Sequence, residues 1–227
     1  LRPLQRRISR RAPRYSVASF SLVRVAAYSL TRRSPQGLVP GRIPGLGKED
    51  GEGFRLYTRP EGKSGGHGVG WSEIPPYSFR VHNTWEEIPV SIADLGGAEV
   101  DLRFQDKEEG DVSVVVAPVA RFADIGFNAS VRLQELVTPE QLISGFAPEL
   151  IGLPLQEGDV VTQATVEKNG LLYYTYELKP KHLLVTATAF KNRLFILTVS
   201  ATPRQWRKEG VQAHLRATAD SFQVKNT

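Results

Sequence analysis

Four histidines, an acidic turn, a glycine-crowded loop and a run of bases are the places in this 227-residue chain where side chains could do chemistry. His67, His82, His182 and His214 show none of the short spacings by which imidazoles from one helix or loop reach a single metal ion. Glu108, Glu109 and Asp111, in the turn QDKEEGD, offer oxygen ligands to a hard cation. The pattern of an EF-hand calcium loop is missing there, and a solvated turn accounts for them. Gly62-Lys63-Ser64 has the ending of a phosphate-binding loop, but that loop requires a glycine where Tyr57 stands. Cysteine is absent, which removes thiolate nucleophiles, thiolate metal sites and disulfides together. With no serine nucleophile elbow and no carboxylate pair set apart from surface acids, an enzyme is not expected.

The bases form the clearest pattern. From Lys179 to Lys208 there are seven Lys or Arg and no acid: Lys179, Lys181, Lys191, Arg193, Arg204, Arg207 and Lys208, with His182 beside Lys181. One reading is a docking surface for an acidic partner; the other is a set of bases on solvent-facing strand and turn positions. Ordinary solvated surfaces mix the signs, which favours docking. The net charge of +5 conceals a polarity, since residues 1–48 hold 11 Lys or Arg and no acid, leaving 18 bases against 24 acids in the remainder. A chain so divided has one basic end on an otherwise acidic body, an arrangement that steers association. No nucleic-acid-binding motif accompanies these bases.

The elements that position these residues follow from periodicity and punctuation. The segment LRPLQRRISRRAPRYSVASFSLVRVAAYSLTRRS has the Arg- and Ser-rich, acid-free composition of an organellar transit peptide, with a disordered basic tail as the alternative. A Pro/Gly-rich linker follows, so residues 1–48 read as leader and linker, 49–76 as a glycine-rich N-terminal segment and 77–227 as the main domain. Folding is expected to start near Gly53, in a mature form lacking roughly the first 45 to 50 residues. No apolar run reaches the roughly 18 to 20 residues that cross a bilayer. FRLYT, YSFRV, VDLRF and VSVVVAPV read as strands, and Val160–Glu167 and Leu171–Leu178 flank Asn169-Gly170, the signature of a type I′ hairpin turn. Thr138, Pro139 and Gln141 open a helix with a capping box; Leu142, Phe146 and Leu150 give it an apolar face, and Pro148 should break or kink it. The strand holding Phe195, Leu197 and Val199 is also apolar on its other face, at Leu194 and Ile196, so it is expected to be central and covered twice. Thr202 and Pro203 then cap a final helix carrying Trp206, Val211, Leu215 and Phe222. Strands and hairpins without βαβ alternation make this an α+β fold, with an antiparallel β-sheet sandwiched between helices.

The ordered set YSFRVHNTW, DVSVVVAPV, LLYYTYEL, KHLLVTATAFKNRLFILTVSA, RQWRKEG and SFQV resembles the PsbP domain, over about Gly53 to Val224. The resemblance is to the auxiliary PsbP-domain proteins of the thylakoid lumen more than to PsbP, the extrinsic lumenal subunit of photosystem II. It implies the PsbP-like fold, a chloroplast thylakoid lumen address, and a non-catalytic role in photosynthesis. It also implies peripheral membrane association with photosystem subunits or assembly intermediates, supporting oxygen evolution or complex maturation. Calcium is implied by the resemblance alone. In PsbP the histidine matching His182 is paired with an Asp at the position where Pro203 stands here. The same fold also occurs in a nuclear import factor that binds the Ran GTPase; the Arg-rich, acid-free leader favours the chloroplast.

Overall fold

The computed structural model of the chain describes residues 45–61, 63, 74–90, 100–119 and 130–226. The basic leader and His67 with most of its glycine-rich loop lie outside the described residues. In chain order the elements are β1 (Leu46–Glu49), β2 (Phe54–Thr58), β3 (Tyr77–His82), β4 (Glu86–Glu87), β5 (Val100–Asp106), β6 (Gly110–Pro118), α1 (Leu133–Leu136) and α2 (Pro139–Ile151). They continue with β7 (Val160–Lys168), β8 (Leu171–Leu178), β9 (Leu183–Phe190), β10 (Arg193–Ser200), α3 (Pro203–Trp206), α4 (Val211–Asp220) and β11 (Gln223–Val224).

The strands divide into two antiparallel sheets. The larger has the order β4-β5-β6-β10-β9-β8-β7 and the smaller β1-β2-β3-β11. β10 lies between β6 and β9, the central place that its two apolar faces require. Its Leu194 and Ile196 join Leu142, Ile143, Ala147 and Ile151 of α2 in one core layer. Its Phe195, Leu197 and Val199 face the opposite layer, with Tyr77 and Phe79 of the small sheet and Val211, Leu215 and Ala219 of α4. The α+β class is as read from the sequence. The face opposite α2, expected to carry helices, is covered by α4 and by the small sheet together.

Local signals explain most element ends. Asn169 and Gly170 both take positive φ, 51° and 74°, and close the β7–β8 hairpin. Thr138 accepts from the Gln141 amide at 3.3 Å while Gln141 accepts from the Thr138 amide at 3.0 Å, completing the capping box. Pro148 does not end α2, which runs to Ile151 and stops at left-handed Gly152. The carbonyl deprived of a partner by Pro148 belongs to Ser144, an exposed residue that water can serve. The apolar face of α2 centres on Leu142, Ile143, Ala147 and Ile151, with Phe146 and Leu150 only partly buried at its margin. The expected final helix is two helices, α3 and α4, parted at Gly210, whose φ of 79° interrupts the run. β1 pairs with β2 and β2 with β3. Among the described residues the first strand is therefore β1 at Leu46, ahead of Gly53, and β2 lies within the segment 49–76.

Candidate functional site

Two polar features occupy one end of the molecule, and a single turn joins them. In the turn between β5 and β6, Asp106 Oδ1 accepts from the amides of Glu108 at 2.7 Å and Glu109 at 2.9 Å. This fixes the two glutamates in opposite directions. Glu108 is exposed and pairs with Lys208 after α3, and that ammonium holds its carboxyl below the usual carboxylate value. Glu109 is buried, with its Oε2 accepting from Trp85 Nε1 at 2.7 Å. Gly110 makes the turn possible: its φ is 144°, and a Cβ there would lie 2.1 Å from the Ser200 carbonyl oxygen.

With Oε2 held by Trp85, the other oxygen of Glu109 faces two histidines. His214 Nδ1 lies 3.1 Å and His82 Nδ1 3.4 Å from Glu109 Oε1. The two imidazoles stack, with centroids 4.2 Å apart and planes 17° off parallel. Phe54 meets both edge-on, at 5.5 Å from His82 and 5.6 Å from His214. The guanidinium of Arg80 covers the Phe54 ring at 4.4 Å and is itself paired with Asp50 and Glu52. His82 ends β3, pointing away from core residues Phe79 and Val81, and its Nδ1 lies 3.1 Å from Thr84 Oγ1. His214 sits one turn into α4, beside its buried stripe. Among the described residues, His82, Glu109 and His214 are the one group of three whose ligand atoms converge, all within 4.8 Å. No spacing along the chain pairs them, because they come from a strand end, a turn and a helix, 27 and 105 residues apart. The nearest signal was period-2 alternation in SFRVH, which turns His82 away from the core face.

Glu109 is thus no solvated turn residue, in contrast to the sequence reading of this turn. Nor does the oxygen-rich calcium site implied by resemblance fit these residues. Glu108 goes to Lys208, Glu109 goes inward, and Asp111 stands within the β6 ladder opposite Ser200. The three carboxylates do not converge.

The eight residues of the basic stretch are split by the strands that carry them. Lys179, Lys181 and His182 lie in the turn before β9, and Arg204, Arg207 and Lys208 lie in and after α3, which follows β10 at the same end of the sheet. The Ala201 amide donates to the Lys181 carbonyl at 2.9 Å, joining the two groups. Lys191 and Arg193 sit at the β9–β10 turn, on the far end of eight-residue strands and roughly 25 Å away. The near group rests on a constrained backbone, since Lys181 and His182 take φ of 59° and 41°, a left-handed pair of non-glycine residues. Lys181 Nζ donates to the Leu150 carbonyl at 2.8 Å, and the His182 ring stacks on Trp206 at 4.8 Å with planes 3° apart. No Asp is available to His182 in α3, where Pro203 occupies the first position.

A third polar group is internal. Arg59 is 2% exposed and binds both oxygens of Asp101, at 2.9 and 3.1 Å, while Tyr77 donates to the same carboxylate at 2.5 Å. Burial, then the Asp101 charge, pushes the Tyr77 hydroxyl well above its ordinary value. Nearby, burial lowers Lys63 and raises Glu87. This network has partners for all its charges and binds sheet to sheet.

Residues 72–224 match the PsbP family. The chain is 49% identical over 189 residues to PsbP domain-containing protein 4, chloroplastic, of Arabidopsis thaliana, covering 83% of this chain and 71% of that protein. It is 28% identical over 151 residues to the thylakoid lumenal 19 kDa protein, chloroplastic, of the same plant, covering 65% of this chain and 61% of the relative. In fold it is similar to the solution structure of cyanobacterial PsbP (CyanoP) from Synechocystis sp. PCC 6803, with a TM-score of 0.52 at 18% identity over 82% of this chain and 99% of that one. These chloroplast relatives set aside the nuclear import reading. The chain belongs to the PsbP family, among its auxiliary PsbP-domain members of the chloroplast thylakoid lumen.

Proposed function

We propose that the protein is a non-catalytic extrinsic component of a photosynthetic complex, docking on photosystem II or one of its assembly intermediates from the lumenal side. The contact is made by the basic end formed by Lys179, Lys181, His182, Arg204, Arg207 and Lys208. The observation that carries this reading is the turn at Lys181-His182. Non-glycine residues in the left-handed region cost of order 1–3 kcal/mol each, and such strain persists where the surroundings enforce it. Here the Lys181–Leu150 bond and the His182–Trp206 stack enforce it, and the result is a rigid platform among cations. Of these cations Lys208 is neutralised by Glu108, and Lys179, Arg204 and Arg207 are exposed. Their attraction for an acidic partner reaches about 8 to 10 Å at physiological salt. Lys191 and Arg193, at the opposite end, form a separate pair that the same partner surface would not reach.

The test is a salt wash of thylakoids from plants expressing variants in place of the native protein. The triple variant Lys179→Glu, Arg204→Glu, Arg207→Glu spares the Lys181 bond to Leu150 and should fold normally, yet leave the membrane at lower salt than wild type. Lys191→Glu should leave at the wild-type salt concentration. Equal release of the triple variant and wild type would reduce the basic end to a solvated face. Cross-linking before the wash identifies the subunit touched.

A further inference from the structure

We propose that His82, Glu109 and His214 form a binding site for one divalent transition-metal ion of the Zn²⁺ class. The donor set decides the class: two imidazole nitrogens and one carboxylate oxygen suit Zn²⁺ or Cu²⁺ and are poor ligands for Ca²⁺ or Mg²⁺, which take oxygen. The geometry is close to what a tetrahedral ion needs. Metal bonds of about 2.0–2.2 Å at tetrahedral angles separate neighbouring ligand atoms by about 3.3–3.5 Å. Glu109 Oε1 already stands 3.1 and 3.4 Å from the two Nδ1 atoms. The remaining edge, between the histidines, is within 4.8 Å, and the two stacked rings turn toward each other to share one ion.

The surroundings are those of a prepared site. Trp85 Nε1 holds the second carboxylate oxygen, so the first is left to the ion, the orienting role that outer partners play around metals. Phe54 buttresses both rings, which limits the rotations they can make. Two neutral imidazoles and one carboxylate bring a single negative charge, and Arg80, over the Phe54 ring, is already paired with Asp50 and Glu52. Access is from the side of His214, whose side chain is 28% exposed against 11% for Glu109. Three protein ligands leave a fourth position, and Thr84 places a hydroxyl next to the His82 nitrogen.

The full chain, stripped of metal with a chelator, is titrated with Zn²⁺ against a chromogenic competitor. One equivalent should bind, and its affinity should fall at least tenfold in His82→Asn and in His214→Asn, each checked by circular dichroism to be folded. His182→Asn and His67→Asn should bind as wild type does. Zn²⁺ should raise the melting temperature of wild type and of His182→Asn but not of His214→Asn, and Ca²⁺ should not displace it. Absence of a bound equivalent in wild type, or unchanged affinity in both ligand variants, would overturn the site. Displacement of Zn²⁺ by equimolar Ca²⁺ would overturn the assigned metal class.

Discussion

Trp206 shows how a single side chain serves two neighbours. Its ring is buried in the core cluster with Val211 and Leu215, while one face receives the His182 imidazole and the Arg216 guanidinium lies 5.4 Å from its centre. Truncation at this position removes a core anchor, so Trp206→Ala should lower stability by about 3 to 5 kcal/mol. It should also release His182 from its left-handed backbone. Denaturant unfolding measures the first effect; an unchanged midpoint together with weakened membrane retention would instead make Trp206 a docking aromatic. The sequence showed Trp206 directly after a buried strand, and from that position its burial could be argued. The stack on His182 could not, because it depends on how the turn before β9 meets α3.

Among the elements, the contact between the two sheets was least legible. Period 2 identified the strands β2, β3, β5, β6 and β10, and the capping box at Thr138 and the Thr202-Pro203 pair marked the starts of α2 and α3. Nothing in the alternation of Phe54–Thr58 or Tyr77–His82 says that these strands leave the main sheet and form a second one. What joins the sheets is partly polar: Arg59 follows β2, Tyr77 opens β3 and Asp101 lies near the start of β5. A buried pair adds little net stability when compared with apolar residues, but loss of one partner strands the other charge. Asp101→Ala should therefore cost about 3 to 5 kcal/mol, and Arg59→Met combined with Asp101→Leu should cost much less. Chemical denaturation of both variants checks this, and equal losses would mean that the pair contributes net attraction. The His82–Glu109–His214 cluster was illegible for the related reason that its members meet only after β3, the β5–β6 turn and α4 have docked. The same docking explains why Glu109, one residue from an exposed Glu108, is buried.

Over the whole molecule, burial is graded across the large sheet, from the exposed edge strand β7 to the central strand β10. The basic end and the histidine cluster lie around the β5–β6 turn, α3 and the start of α4, and β7 closes the large sheet at its edge. Apart from its two ends, every residue of β7 is exposed, on both faces, although it pairs with β8 along its length. β10, three places inward, is buried on both faces at Leu194 through Val199. Backbone hydrogen bonds that are not covered by packed side chains open without global unfolding. Amide hydrogen exchange should therefore record a gradient across one continuous sheet: fast in Val161–Glu167, intermediate in β8, and in β10 as slow as complete unfolding permits. Uniform protection from β7 to β10 would contradict it. With such a gradient, the β7 margin can separate and re-form while the strands that carry the basic end stay closed, so opening at one border of this ladder leaves the geometry of its basic end unchanged.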